Sequence, residues 1–243
     1  VDARRLDVAV RKHTDAVKFS DFREMISQMG DKIDVMNVST ADHTHAPATM
    51  MGMRWGIHVY VQKPLTHTVW EARQLAVMAR KKNICTQMGN QGTAADGLRE
   101  GAEYIRAGGL GEVKEIHAWT NRPVWPQAPS ITERPTESMS VPDHLDWNSF
   151  IGPAPMRPYH SSYTPFKWRG WWDYGTGALG DMACHTTNLA FMGCELTQPT
   201  TIESVNTGPI NDETFPSWAS INLDFPKTDT RGPIKFHWYE GKV

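Results

Sequence analysis

Between residues 20 and 88 the apolar pattern switches repeatedly between the 3.6-residue period of a helix and the short continuous run of a buried strand, and this restricts the fold more than any other feature. Residues 20–29 (SDFREMISQM) place Phe22, Met25, Ile26 and Met29 at helical spacing behind a possible N-cap at Ser20, and Gly30 ends the run. Residues 33–38 then read as a strand leading into the polar loop Ser39-Thr40-Ala41-Asp42-His43-Thr44-His45. A helix over 46–55 follows, then Gly56 and a strand over 57–61 that ends at Gln62-Lys63-Pro64-Leu65. The clearest helix spans 68–82, with Val69, Ala72, Leu75, Ala76 and Ala79 on one face and basic residues in the last turn. A third strand covers 84–88. Strand, loop and helix repeated in this way predict a doubly wound parallel sheet, whose ligands sit beyond the carboxyl ends of the strands. The loops after Val38, Val61 and Met88 are therefore the first places to look for a site.

The second half has a different texture. Residues 112–120 open it, and 123–158 form an excursion dense in proline and tryptophan with few regular periods. From about Ile202 onward, 217–225 and 234–239 alternate like antiparallel strands between Pro/Gly/Asp turns. With 243 residues the chain can bury a core without staples. Its 25 Lys and Arg against 27 Asp and Glu leave a net charge of −2, which disfavours a nucleic-acid partner. Mean hydropathy is −0.49, and no apolar run is long enough to span a bilayer. Cys85, Cys184 and Cys194 are odd in number and unclustered, so neither a disulfide framework nor a zinc cage is expected.

A literal G-x-G-x-x-G stands at Gly175 to Gly180, yet it is not read as a dinucleotide fingerprint. That motif works when a buried strand delivers a tight turn to a helix N-terminus. Here it follows WRGWWDY, which has neither strand length nor apolar continuity. The strand, glycine turn and helix that should open a doubly wound domain are not in the sequence. The expectation is a chain that begins just after the second strand, cut at both ends, and that binds NAD weakly or not at all as this span.

Four groups of residues could carry chemistry. Lys63 follows a strand and is fixed by Pro64, so it could donate to a ligand oxygen, although a solvated loop lysine fits equally well. Asp181 and His185, four apart in a helix-compatible stretch, project from one face, where a carboxylate can orient an imidazole acting as general base. A capping Asp beside a core histidine explains the pair as well, and taken alone that explanation is the stronger. Asp42, His43 and His45 could be proposed as metal ligands, but no further zinc spacing accompanies them, and a loop lining a cofactor pocket fits better. Lys167, Trp168, Arg169, Trp171 and Trp172 combine flat rings with cations, suited to the apolar face and hydroxyls of a sugar or simply to core packing.

Taken with STADHTHAP at 39–47, VYVQKPLTHTVWEARQL at 59–75, TQMGNQG at 86–92, GEVKEIHAWTNRPVWP at 111–126 and WRGWWDYGTGALGDMACH at 168–185, these residues make the chain resemble the Gfo/Idh/MocA oxidoreductases, in a bacterial subgroup of predicted dehydrogenases. The resemblance implies an α/β protein: a partial NAD(P)-binding Rossmann domain over 1–120, then an α+β substrate domain over 121–243 with an open, mainly antiparallel sheet. It implies Lys63, Asp181 and His185 as catalytic residues. Ser39, Thr40, His43, His45, Gln62, Lys63, Gln87, Asn90 and Gln91 would line the cofactor, with Gln62 where the family has Glu. Lys167, Arg169, Trp171 and Trp172 would face substrate. The implied cofactor is NAD or NADP, and the implied activity is hydride transfer to or from a sugar, polyol or glycoside hydroxyl. Two alternatives stay open: an NAD-dependent glycosidase working by transient oxidation and elimination, and a non-catalytic sugar-binding or assembly protein. The expected partners are a small carbohydrate and further copies of the chain, meeting through the C-terminal sheet. The compartment is left open between cytoplasm and export of a soluble chain.

Overall fold

The computed structural model describes residues 1–123 and 132–241. Part of the proline-rich excursion and the last two residues, Lys242-Val243, lie outside the described residues. The chain forms two compact units. The first comprises Val1–Gly89, Arg134–Trp168 and Asp173–Gly175, and the second Asn90–Glu133, Arg169–Trp172 and Thr176–Val243. This partition interleaves segments where the sequence division at 120 runs straight through.

The first unit is built on three parallel strands, β1 (Val35–Val38), β2 (His58–Gln62) and β3 (Thr86–Gly89), in the order β1-β2-β3. Val38 pairs with Val61, and Gln62 with Gly89, so the strands end together at their carboxyl ends. Helices α1 (Ala3–Lys12), α2 (Phe22–Met29), α3 (Asp42–Arg54) and α4 (Val69–Lys82) accompany them. Ile26, Met36, Val38, Met53, Ile57, Val59, Val61 and Leu75 form the aliphatic core. Thr68 caps α4 with a reciprocal pair of bonds. Its hydroxyl accepts from the Glu71 N–H at 3.2 Å, and the Glu71 carboxylate accepts from the Thr68 N–H at 2.8 Å.

The structure departs from the sequence reading in three places. Helix α2 is capped by Asp21, whose carboxylate accepts from the Arg23 N–H at 2.8 Å, rather than by Ser20. The buried face of α4 runs through Leu75 with Met78 and Ala79 packed beside it, while Val69, the first residue of the helix, is 71% exposed. Helix α3 starts at Asp42, not 46, and carries Pro47 inside it. Tertiary bonds from His43 and His45, described below, hold the added turn in place and override the local proline signal.

Segment 134–168 joins the first unit through its aromatic residues. In α6 (Trp147–Ile151) the Trp147 ring stacks on Phe150 and Tyr163 at 5.1 and 5.9 Å, and its indole N–H donates to the Arg157 carbonyl at 2.8 Å. The buried Arg157 guanidinium pairs with Asp173 and lies over the Tyr163 and Tyr174 rings.

The second unit carries a mixed sheet of β4 (Glu115–Thr120), β5 (Thr201–Thr207), β6 (Ala219–Phe225) and β7 (Ile234–Glu240) in the order β4-β7-β6-β5. The β5/β6 and β6/β7 pairs are antiparallel, while β4 runs parallel to β7. Helices α5 (Asp96–Arg106), α7 (Gly177–Thr186) and α8 (Asn188–Gly193) complete the unit. Phe225, Ile234, Phe236 and Trp238 form its core, with Phe191 edge-on to Phe225. Glu240 is buried at the end of β7, where its carboxylate accepts from the Trp238 indole at 2.9 Å. Burial pushes this carboxyl up to about 7, against the pull of that hydrogen bond. All three cysteines are free thiols, as their spacing implies. Among the described residues no helix is long and apolar enough to cross a membrane.

Candidate functional site

In the first unit the loops after β1 and β2 leave the same end of the sheet, because the strands are parallel and in register. Ser39 and Thr40 are exposed, and Gln62 and Lys63 are half-buried. The Gln62 side chain folds back to accept from the Lys63 N–H at 3.0 Å. Gly89 makes room for it: a Cβ there would meet the Gln62 Cα and both of its side-chain polar atoms at 3.0 Å. Gln87 is exposed on β3.

His43 and His45 are buried and spend their ring nitrogens on backbone carbonyls. His43 Nε2 lies 2.8 Å from the Phe150 oxygen, with Nδ1 3.2 Å from that of Tyr174. His45 Nδ1 lies 2.7 Å from the Pro64 oxygen, with Nε2 3.0 Å from that of Thr40. A neutral imidazole has a single N–H, so the shorter contact in each case takes the donor. Desolvation lowers the basicity of both rings, to a pKa of about 4 for His43, and outweighs the second carbonyl that would favour a proton. At pH 7 both rings are therefore neutral. His45 ties the loop after β1 to the loop carrying Lys63, so these histidines act on the loops by position.

In the second unit Asp181 and His185 stand one turn apart on α7, as their spacing predicts. Asp181 is buried, with the Arg169 Nε 3.7 Å from its carboxylate, and His185 is half-buried in the last turn. The helix begins at Gly177, whose φ of +63° and closeness to Phe215, 2.7 Å from an added Cβ, admit only glycine. The described residues 132–176 that lead into it form no strand, which agrees with the rejection of the G-x-G-x-x-G as a fingerprint. Asn90 docks on the same helix by donating to the Cys184 carbonyl at 2.6 Å, next to His185. The Asn90 Oδ1 is buried with no hydrogen-bond partner among the described residues. Gln91 is exposed just beyond it.

Lys167 is half-buried and Trp171 fully buried, whereas Trp172 is 40% exposed, with its indole donating to the Asn211 carbonyl and its ring against Phe215. Sequence reasoning missed the Arg169–Asp181 pairing, the docking of Asn90 and the bond between the His67 ring and the Gly175 carbonyl at 2.8 Å. None of the three has a local periodic signature.

The donors fit the nicotinamide and ribose part of a dinucleotide. In the first unit the hydroxyls of Ser39 and Thr40, the Gln62 carboxamide and the Lys63 ammonium belong to the loops at the strand ends, and in the second unit, taken by itself, the buried Asn90 Oδ1 is an acceptor that a carboxamide N–H would satisfy. A pyrophosphate calls for a glycine turn between a strand and a helix, which these residues do not supply.

A three-stranded parallel sheet with accompanying helices and a second unit built on a mixed sheet with helices are the two parts of a Rossmann-type two-domain architecture. The family model "Oxidoreductase family, NAD-binding Rossmann fold" matches residues 2–90, and "Oxidoreductase family, C-terminal alpha/beta domain" matches 125–229. The chain belongs to the Gfo/Idh/MocA oxidoreductase family. It is 23% identical over 172 residues to a levoglucosan dehydrogenase of Pseudarthrobacter phenanthrenivorans, covering 70% of this chain and 35% of that one. Among solved structures, an inositol dehydrogenase homolog from Azotobacter vinelandii complexed with NAD+ matches with a TM-score of 0.67 at 18% identity, over 93% of this chain and 50% of that one. A levoglucosan dehydrogenase in complex with NADH and levoglucosan matches with a TM-score of 0.64 at 18% identity, over 97% and 55%. The chain thus spans about a third of the curated relatives' length and about half of the solved chains.

Proposed function

We propose that this chain serves an NAD-dependent oxidoreductase that oxidises a hydroxyl of a sugar, polyol or glycoside, or reduces the corresponding carbonyl. Bound nicotinamide would supply the hydride acceptor or donor. His185 takes the hydroxyl proton, Asp181 orients the substrate or the imidazole, and Lys63 holds the reacting oxygen. Ser39, Thr40, Gln62, Gln87, Asn90 and Gln91 hold the cofactor, His43 and His45 shape its loop, and Lys167, Arg169, Trp171 and Trp172 form the substrate side. The functional division falls at 120/121, and copies of the chain associate through the second unit's sheet. The observation that carries this proposal is the docking of Asn90, with its unsatisfied carboxamide oxygen, one residue from His185. The sugar substrate is supported by the relatives named for levoglucosan and inositol.

The test is NADH formation across a panel of sugars and polyols by the purified full-length protein. His185→Ala should lower turnover by about 10²-fold or more while leaving NAD binding, read by fluorescence titration, unchanged. Unchanged turnover would remove His185 from the mechanism. Sugar release without net NADH formation would replace dehydrogenation with redox-assisted elimination.

A further inference from the structure

On the face of the second unit's sheet opposite its aromatic core, strand register assembles a row of metal-binding groups. His117 of β4 pairs with His237 of β7, and His237 in turn with Asn222 of β6. These three side chains stand side by side. Glu115 and Tyr239 lie two residues away on β4 and β7 and so share the face. The two imidazoles stack with centroids 4.7 Å apart and planes 14° off parallel. The Glu115 Oε1 sits 3.0 Å from the Nε2 of His237 and 3.2 Å from that of His117. One ligand atom from each of the three residues lies within 4.8 Å of the others.

We propose that Glu115, His117 and His237 form a binding site for a borderline divalent cation of the Zn²⁺ type, with solvent completing the coordination. Two imidazole nitrogens and one carboxylate oxygen are the donor set such ions select over Mg²⁺ or Ca²⁺, which prefer oxygen alone. The Nδ1 atoms are already engaged. That of His237 donates to the Asn222 Oδ1 at 2.7 Å, and that of His117 meets the Tyr239 hydroxyl at 3.1 Å. With Nδ1 donating to Asn222, the Nε2 of His237 is left directed at the Glu115 carboxylate. The buried His237 Nε2 makes no hydrogen bond among the described residues, despite its short distance to Glu115. A cation between them would engage both atoms, and the Asn222 and Tyr239 partners are the outer contacts that fix the orientation of ligating histidines. An ion about 2.0–2.1 Å from each atom in tetrahedral geometry spaces its ligands about 3.4 Å apart, and the Glu115 oxygen already stands within a few tenths of an ångström of that spacing from each imidazole nitrogen. The ion would fasten β4, an edge strand, to β7.

The experiment is calorimetric titration of Zn²⁺ into the intact, chelator-stripped chain, with Co²⁺ absorption as a second readout. One equivalent should bind, Mg²⁺ should not compete, and Co²⁺ should give the visible band of a four-coordinate nitrogen and oxygen site. His117→Ala and His237→Ala should each weaken Zn²⁺ binding about 100-fold, and Asn222→Ala, which leaves all three ligands in place, about tenfold. Circular dichroism confirms that each variant is folded. If a histidine variant does not fold, Asn222→Ala and the Co²⁺ spectrum of the unaltered chain decide. The assignment is overturned if no saturable Zn²⁺ binding occurs, if binding survives the double histidine variant, or if the Co²⁺ complex is six-coordinate with Asn222→Ala binding unaltered.

Discussion

The two units bury opposite kinds of titratable group. The first holds His43 among carbonyl oxygens and aromatic rings, and desolvation keeps it neutral by lowering its basicity to about 4. The second holds Glu240 at the end of β7, where desolvation keeps it neutral by raising its pKa to about 7. The same physical cost therefore acts on pH stability with opposite sign. For His43 the folded pKa lies below the ordinary 6.5, so its share of stability is complete above 6.5 and is lost as pH falls toward 4. For Glu240 the folded pKa lies above the ordinary 4.5, so its share is complete below 4.5 and is lost as pH rises toward 7. Between these limits the two slopes oppose each other, and a probe of the whole chain would register little of either.

The largest effect should come from the second unit's aromatic core. Trp238→Ala removes a fully buried ring and the donor to Glu240, and should cost about 3–5 kcal/mol in denaturant unfolding. A cost below about 1 kcal/mol would show that the sheet packs without it. Next, Glu240→Gln keeps an acceptor for Trp238 without the charge. At pH 8 it should stabilise by up to about 3 kcal/mol, a tenfold change in proton affinity being about 1.4 kcal/mol, and at pH 4 it should be nearly neutral. A gain that does not depend on pH would break the comparison. His43→Asn should flatten the acid limb of the first unit, worth up to about 3 kcal/mol between pH 6.5 and 4, read by hydrogen exchange of the β1 and β2 amides. If that limb persists in the variant, another group carries it. The smallest effect is the cap of α4: Thr68→Ala should cost about 1 kcal/mol, seen as faster exchange in the first turn alone.

Legibility followed the range of the interactions. Helix α4 and the three parallel strands read directly, because cap, period and basic last turn are local. Asp181 and His185 were also readable as neighbours on one face, since a spacing of four has one meaning in a helix. The early start of α3 was not, because its first turn is held by the carbonyls of residues 64 and 150 through the ring N–H groups of His45 and His43, and by that of residue 174 through the His43 amide. Nor was the attachment of 134–168 to the first unit, which rests on stacked rings and the pairing of Arg157 with Asp173. The parallel pairing of β4 with β7 joins residues about 120 apart, and alternation alone identifies a strand but not its neighbour. The row of Glu115, His117 and His237 exists only once that pairing is made.

The register between β5 and β6 shifts at Ser204/Asn206, where one strand carries an extra residue. Strand β5 is an outer strand, and with Ile202 69% and Val205 53% exposed it offers a stranger both unpaired amides and apolar contacts. The bulge bends and twists that border, so a foreign strand laid along it would lose step with the backbone after a few residues. What reads as an irregularity in the sheet is therefore a guard against adding strands without limit.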